Sequence, residues 1–539
     1  MIRQFGAGAI AVMLLLYPIA ASAQSDTAWV RHYNGLGNGS DRVEAMAVDA
    51  AGNVVVTGIS SGGASYDFAT VKYNEAGKTL WERRYNAPGD LDESPTALAV
   101  DDHGYVYVAG LSIRAGTGAD FIVLKYDPDG TLLWSRSYDG PAHSEDWPQA
   151  IALSRAGEVY VTGWSGGVGT GRDITTLKYD TDGNLIWERR YNGPINQTDV
   201  AGSIALDRDG NVFVGGSVAV DSSDDGEVKV YLTECAILKY SPAGDLLWER
   251  QYQRPERWSD AVIALDVDGL GNVIAAAGIF GGASSGDIGV LKYDGDGAFL
   301  WAKQYDGPVH LYDAVIDLAL APDGCIYVAG TSAGGSDVGR DFTVLKYHTN
   351  GDFVWERRYG GPGAGYDDPA GIVVDGKENV CVTGSSPDAN MRLDWATRLY
   401  DSSGNLLWQE RYDGAANGDD GSVGLAFTSH GDVVVSGYST GTTSNRDFTT
   451  IRYKLPCSCD CVHDPGGCDG VADLLDVTAI INVAFRGATS IPDPAIRCSV
   501  APSDVDCSNA TDVLDVVRAI NVIFRGADPM SQYVDPCGM

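Results

Sequence analysis

Basic residues are scarce in this sequence. Against 73 Asp and Glu stand only 38 Lys and Arg, a formal net charge of −35 over 539 residues. Nucleic acid and anionic membrane would both be repelled, so neither is expected as a partner. Long apolar runs are also missing, apart from one near the start. Ala9 to Ala20 is too short to span a bilayer comfortably, and no later segment does better. With Arg3 ahead of it and Ala21-Ser22-Ala23 behind, residues 1–23 read as a signal peptide, with the mature start near Gln24. The expected location is outside the cytoplasm: secreted, at the cell surface or in the periplasm.

Cysteine is thin over the first 455 residues, with only Cys235, Cys325 and Cys381, so cross-links do not build that part. The other seven (Cys457, Cys459, Cys461, Cys468, Cys498, Cys507 and Cys537) crowd the C-terminal end. In an exported chain that density predicts disulfides stapling a small domain, with the connectivity open. Catalytic constellations are missing as well. His32, His103, His143, His310, His348, His430 and His463 fall mainly in turns without metal-ligand spacing, and no Gly-x-Ser-x-Gly elbow precedes a helix. No acid pair is unique to one part of the chain, so glycosidase carboxylates cannot be nominated. The expectation is a protein that is not an enzyme.

What is abundant is repetition. A Trp-x-x-x-Tyr segment starts at Trp29, Trp81, Trp134, Trp187, Trp248, Trp301, Trp355 and Trp408, with successive spacings of 52, 53, 53, 61, 53, 54 and 53. A second marker ends at Tyr73, Tyr126, Tyr179, Tyr240, Tyr293, Tyr347, Tyr400 and Tyr453. Internal repeats of this length are the signature of stacked supersecondary units. In the second unit four strand-like runs stand out: Ala97 to Val100, Tyr105 to Ala109, Phe121 to Tyr126 and Leu132 to Tyr138. We label them a, b, c and d. Asp101-Asp102-His103-Gly104 and Asp127-Pro128-Asp129-Gly130 are tight turns, in which Asp binds the backbone and Gly accepts positive φ. Four short strands per unit describe a propeller blade.

Closure follows from chain order. The first Trp strand, Trp29 to Tyr33, precedes any a, b or c strand, while the last unit, Val423 to Tyr453, has no d. The expected fold is all-β: an eight-bladed β-propeller over residues 24–455, closed by the N-terminal strand so that no sheet edge stays open. A Cys-rich linker, 456–462, and a small α-helical domain, 463–539, follow. The blades, with Asn53 to Gly58 and Thr79 to Tyr85 as examples, resemble the bacterial β-propeller (SBBP-type) repeat family. That resemblance implies the fold and leaves the activity open.

Two acids recur in every blade. Asp41, Glu93, Asp146, Asp199, Asp260, Asp313, Asp367 and Asp420 precede strand a and should ring the channel mouth. They are read as ties for the d–a loops, with a cation site or acidic funnel as the alternative. Asp67, Asp120, Asp173, Glu234, Asp287, Asp341, Asp394 and Asp447 open strand c and are read as scaffold. The Trp and Tyr of strand d share a face and are expected to pack between blades. The longer b–c and d–a loops lie together on the face where binding is expected. There the fourth blade carries an insertion, Val218 to Leu232, with Asp221, Asp224, Asp225 and Glu227. It is read as a grafted binding loop or a disordered acidic loop.

Near the C-terminus, Cys468-Asp469-Gly470 to Phe485-Arg486-Gly487 repeats as Cys507-Ser508-Asn509 to Phe524-Arg525-Gly526. Each copy is a loop followed by an amphipathic helix, and the pair resembles a type I dockerin. The resemblance implies Ca²⁺ held by oxygen ligands: Asp504, Asp506, Ser508, Asp512 and Asp515 at loop positions 1, 3, 5, 9 and 12. In the first loop Asp469, Asp473 and Asp476 fit positions 5, 9 and 12, but Pro465 and Gly467 stand at 1 and 3, so metal or disulfide holds it. Leu474-Leu475 and Val513-Leu514 replace the small polar pairs by which the family selects its partner. The expected partner is a cohesin-like or other extracellular module.

The reading is therefore an exported, non-catalytic binding or scaffold protein, its propeller a platform for a ligand such as a glycan and its tail a Ca²⁺-dependent attachment. Two alternatives stay open. Tyr179-Asp180-Thr181-Asp182-Gly183-Asn184-Leu185-Ile186-Trp187 resembles the tryptophan-docking motif of quinoprotein (PQQ) dehydrogenases, which are also eight-bladed. That family often carries an adjacent cysteine pair, and here the propeller cysteines are isolated. The other alternative is a component of an extracellular polysaccharide-degrading complex.

Overall fold

A computed structural model describes residues 26–455, apart from 64, 90, 225–228, 253–258, 282–283, 335–338 and 443–444. These residues lie in one compact unit, Ser25–Leu455. Their strands form eight separate four-stranded antiparallel sheets, each paired in the order a-b-c-d. Blade 1 is typical, with Asp41–Val48, Val54–Ser61, Tyr66–Tyr73 and Thr79–Tyr85. The eighth blade takes a, b and c from Gly421–Phe427, Val433–Thr440 and Arg446–Lys454, and its outer strand from Asp26–Tyr33. Val30 faces Ile451 and Tyr33 faces Phe448 in that seam. The innermost strands touch one another in turn around the ring, and Gly421–Phe427 returns to Asp41–Val48. The eight-bladed propeller and its N-terminal closure stand as expected.

Turn chemistry explains the hairpins. Asp127 Oδ1 accepts the backbone N–H of Asp129 at 3.0 Å and of Thr131 at 2.7 Å, while Gly130 closes the turn at φ 82°. Strands b and c are buried on both faces because each blade is sandwiched by its neighbours; Val54, Val55 and Val56 all have no exposed surface. The core accordingly lies between blades: Tyr160 and Trp187 of blade 3 pack with Val212, Val214 and Leu238 of blade 4.

The strand-d tryptophans lock each blade to the next. Trp81 Nε1 donates to Pro128 O at 2.9 Å, and Arg83 Nε to Gly130 O at 2.5 Å. A Cβ on Gly130 would sit 2.6 Å from the Trp81 ring, so glycine is required there for space as well as for φ. The same indole bond recurs at Trp134–Thr181, Trp187–Pro242, Trp248–Gly295, Trp355–Ser402 and, across the seam, Trp29–Glu75. Inter-blade packing, not a sugar platform, is the role of these rings. Trp408 is the exception: blade 8 has no c–d turn, and Trp408 Nε1 is buried without a partner among the described residues.

Two expectations need correction. In blade 2 the strands are Glu93–Val100, Val106–Arg114, Gly118–Tyr126 and Leu132–Tyr138, so a, b and c run further than their apolar runs. The register shifts between Pro95 and Ala97, as it does at the same place in blades without proline, such as Val43/Ala45 and Val315/Asp317, and polar ends such as Glu93 and Ser112 conceal the extra pairs. The blade-4 insertion is not a loop over 218–232. It lengthens strands b and c, Val212–Asp224 and Lys229–Tyr240, into a hairpin that shifts register between Ala219 and Asp221 and pairs as far as Asp224 with Lys229.

Candidate functional site

The b–c and d–a connections share one face, and the two recurring acids lie just beneath it. The acids ahead of strand a are buried and work as clips. Asp146 Oδ2 accepts the N–H of Gly140 in the d–a loop at 2.6 Å, and Oδ1 that of Gly166 at the end of strand b at 3.2 Å. Asp41, Asp199 and Asp420 make the same two bonds. The tie reading is therefore the one seen. Burial raises the carboxyls of Asp41, Asp146, Asp313 and Asp367 above their ordinary range, Asp199 to about 6 and Glu93 to about 7.

The acids that open strand c are scaffold where an arginine three residues beyond the strand-d tryptophan meets them. Arg84–Asp67, Arg190–Asp173, Arg358–Asp341 and Arg411–Asp394 lie 2.8, 2.8, 3.1 and 2.7 Å apart. Blades 2, 4, 5 and 8 carry Ser137, Gln251, Gln304 and His32 at that position.

Aromatic and guanidinium groups gather on this face in places the repeat does not require. Trp147 follows Asp146, where other blades have Arg42, Ser94, Val200, Ala261, Ala314, Asp368 and Gly421. It is 37% exposed. Its ring stacks on Trp164 of the neighbouring strand at 6.1 Å between centroids and 17° between planes. Arg172 lies 3.7 Å over the other tryptophan and pairs with Glu145 at 3.3 Å. A second group follows on blades 6 and 7, where Arg340 lies 5.1 Å from the Tyr312 ring and 4.5 Å from that of the 55% exposed Tyr366. Flat, rigid rings beside fixed donors suit an amphipathic ligand such as a sugar ring: the ring face stacks and the guanidinium takes hydroxyl or carboxylate oxygens. Sequence reasoning missed Trp147 and Trp164, because neither belongs to the recurring Trp-x-x-x-Tyr segment. Their departure from the repeat was the available signal.

The sequence-derived calcium ligands Asp504, Asp506, Ser508, Asp512, Asp515, Asp469, Asp473 and Asp476 lie outside the described residues, as does the 1–23 leader. In the blade-4 insertion, Asp221 is exposed near the tip of the lengthened hairpin, and 225–228 are outside the described residues. Cys235, Cys325 and Cys381 are buried, each in a different blade. Among the described residues no helix is long and apolar enough to cross a membrane.

No family model matches the chain, and no curated protein matches it. Solved structures do. Sqt1 from Chaetomium thermophilum is similar at 12% identity and a TM-score of 0.48, covering 79% of this chain and 98% of that one. The β-propeller domain of the Trilobed protease from Pyrococcus furiosus gives 12% identity and 0.37, over 69% and 97%. An acylaminoacyl peptidase from Pyrococcus horikoshii gives 13% identity and 0.39, over 74% and 57%.

Proposed function

We propose that this chain is an exported, non-catalytic binding protein whose propeller takes an extracellular glycan or similar amphipathic ligand on the b–c and d–a face. The observation that carries the reading is the exposed Trp147 stacked on Trp164 under Arg172, at a position no blade needs for closure. A dockerin-like tail, loaded with Ca²⁺ through Asp504, Asp506, Ser508, Asp512 and Asp515, attaches the propeller to an extracellular module. The quinoprotein alternative draws on the tryptophan docking. Seven of the eight docked tryptophans, Trp29 to Trp355, bond a turn of the next blade, and repetition at every available junction makes that geometry architectural.

A glycan array probed with the full chain and with Trp147→Ala tests the reading. The expected result is a defined set of bound glycans, with affinity for them falling about thirtyfold in the variant, the size of a central aromatic anchor, and the fold unchanged. Glycan binding indifferent to Trp147 would move the site elsewhere. Dye reduction by the chain with pyrroloquinoline quinone, Ca²⁺ and alcohols or aldoses would replace the reading with the dehydrogenase.

A further inference from the structure

Blades 5 and 6 meet at three carboxylates. Asp287 lies in strand c of blade 5 (Ser284–Tyr293), Asp306 follows strand d (Phe299–Tyr305), and Asp313 opens strand a of blade 6 (Asp313–Leu320). One oxygen from each lies within 4.8 Å of the other two. Asp287 and Asp313 are each 1% exposed, while Asp306 is on the rim. The loop between them is held from below: His310, at φ 54°, donates its N–H to Gly307 O at 3.0 Å, and Gly307 donates to Asp313 Oδ2 at 2.6 Å. The backbone thus fixes Asp313 before any ligand arrives.

At this junction the cation that four other blades place on the strand-c acid is missing. Where blades 1, 3, 6 and 7 place an arginine on the strand-c acid, blade 5 has Gln304, whose Nε2 donates to Asp287 Oδ2. Asp287 Oδ1 is left buried with no hydrogen-bond partner among the described residues. Asp173 also leaves one oxygen unpaired, but its other oxygen holds Arg190 at 2.8 Å. Among the described residues no lysine or arginine forms an ion pair with Asp287, Asp306 or Asp313; the single basic partner is His310, 2.7 Å from Asp306 on the exposed rim. Two buried carboxylates and a third at the rim repel one another unless a cation joins them.

Two similar clusters are graded by the same rule. Asp394, Asp413 and Asp420 gather between blades 7 and 8, but Arg411 already pairs with Asp394 at 2.7 Å. Asp120, Asp139 and Asp146 gather between blades 2 and 3, where Ser137 replaces the arginine and Arg114 approaches Asp120 to 3.6 Å from the side.

We infer that the blade 5–6 junction is a metal site, in which Asp287, Asp306 and Asp313 bind a hard divalent cation of the Ca²⁺ and Mg²⁺ class. Three carboxylate oxygens with water completing the shell is a donor set for such ions and not for thiophilic metals. Bound there, the ion ties the outer strands of blade 5 to the inner strand of blade 6, supplies the positive charge that arginine gives the strand-c acid in blades 1, 3, 6 and 7, and stiffens the face beside Tyr312.

The test uses the full chain with Asp504→Ala and Asp515→Ala, so that uptake by the tail does not enter. Tb³⁺ is the probe, because Tyr312 and Tyr305 stand next to the ligands and sensitise its emission. Saturable emission displaced by Ca²⁺ or Mg²⁺ is expected. Asp306→Asn, a rim change the fold tolerates, should weaken it by about tenfold or more. Gln304→Arg should abolish it by seating a guanidinium in the ion's place. Ca²⁺ or Mg²⁺ should also raise the melting temperature of the parent chain more than that of Asp306→Asn. Emission that neither cation displaces, or that Asp306→Asn leaves unchanged, overturns the proposal.

Discussion

The strand-c acids of blades 3 and 5 stand on the same backbone and meet different counter-groups. In the first, Arg190 takes Asp173 at 2.8 Å, Ser165 Oγ at 2.6 Å, the carbonyls of Ser165 and Gly166 at 3.0 Å and Tyr138 Oη at 3.1 Å. In the second, Gln304 covers one oxygen of Asp287 and leaves the other alone. A repeat protein builds each junction from equivalent positions, so what varies between copies is free of the demands of closure. The buried carboxylate belongs to the scaffold in both. The identity of its counter-charge is where one copy can acquire a property the others lack.

Removing the guanidinium is the most damaging way to break this comparison. Arg190→Ala leaves Asp173, 5% exposed, without its cation, and truncating one partner of such a pair costs about 3–5 kcal/mol. Ser137→Ala, the matching change in blade 2, removes no cation and should stay within about 1 kcal/mol. Thermal midpoints of the two variants against the parent measure the difference. Equal losses would mean that the arginines act by packing their stems.

A smaller effect comes from a buried acid that no cation pairs among the described residues. Glu93 is 1% exposed; Ser112 Oγ donates to Oε1 at 3.2 Å, and the backbone of Ala87 supplies a further, weaker bond. Burial pushes it from the ordinary 4.5 to about 7. Raised in the folded state, the carboxyl favours folding in its protonated form. Its penalty is absent below about pH 4.5, grows as pH rises to 7 and is complete above that. Glu93→Gln should therefore stabilise the protein by about 2 kcal/mol at pH 8 and change little at pH 4. A gain of equal size at both pH values would place the effect in packing instead of charge.

These features were unequally legible in the sequence. Blade number, closure and both rings of acids follow from periodicity, because each is written eight times. Inter-blade docking of the tryptophans was legible for the same reason. The extent of strand a was hidden by Pro95 and by polar residues that turn out to pair. The blade-4 insertion looked like a loop because Asp221, Ser222 and Ser223 are poor strand formers, yet they continue the ladder opposite Leu232, Tyr231 and Val230. Trp147 and the Asp287 cluster are single departures from a pattern, and periodicity averages such departures away. Aligning the blades by position, and reading Ser137 and Gln304 against the arginines, exposes them.

The mildest test concerns the rim. At the blade 2–3 and 5–6 junctions an Asp four residues before a positive-φ His forms a pair, Asp139–His143 and Asp306–His310, each at 2.7 Å. Elsewhere two asparagines fill the same positions, as in Asn34–Asn38 at 3.0 Å and Asn192–Asn196 at 2.6 Å. Asparagine tolerates the left-handed backbone about as well as histidine, so His143→Asn tests the charge without straining the loop, whose His143 φ is 47°. The hydrogen bond and charge of Asp139, with Asp120 and Asp146 behind it, raise His143 above its ordinary 6.5. A histidine raised in the folded state stabilises the fold fully below its unfolded pKa, and the benefit is lost as pH rises through the folded value. His143→Asn should therefore lower the thermal midpoint slightly near pH 5.5 at low salt. The difference should close by about pH 9, or at about 0.5 M salt, because an exposed pair is screened. A difference that survives both conditions would mean that the histidine holds the loop by shape, and that the Asp–His junctions differ from the Asn–Asn junctions in more than charge.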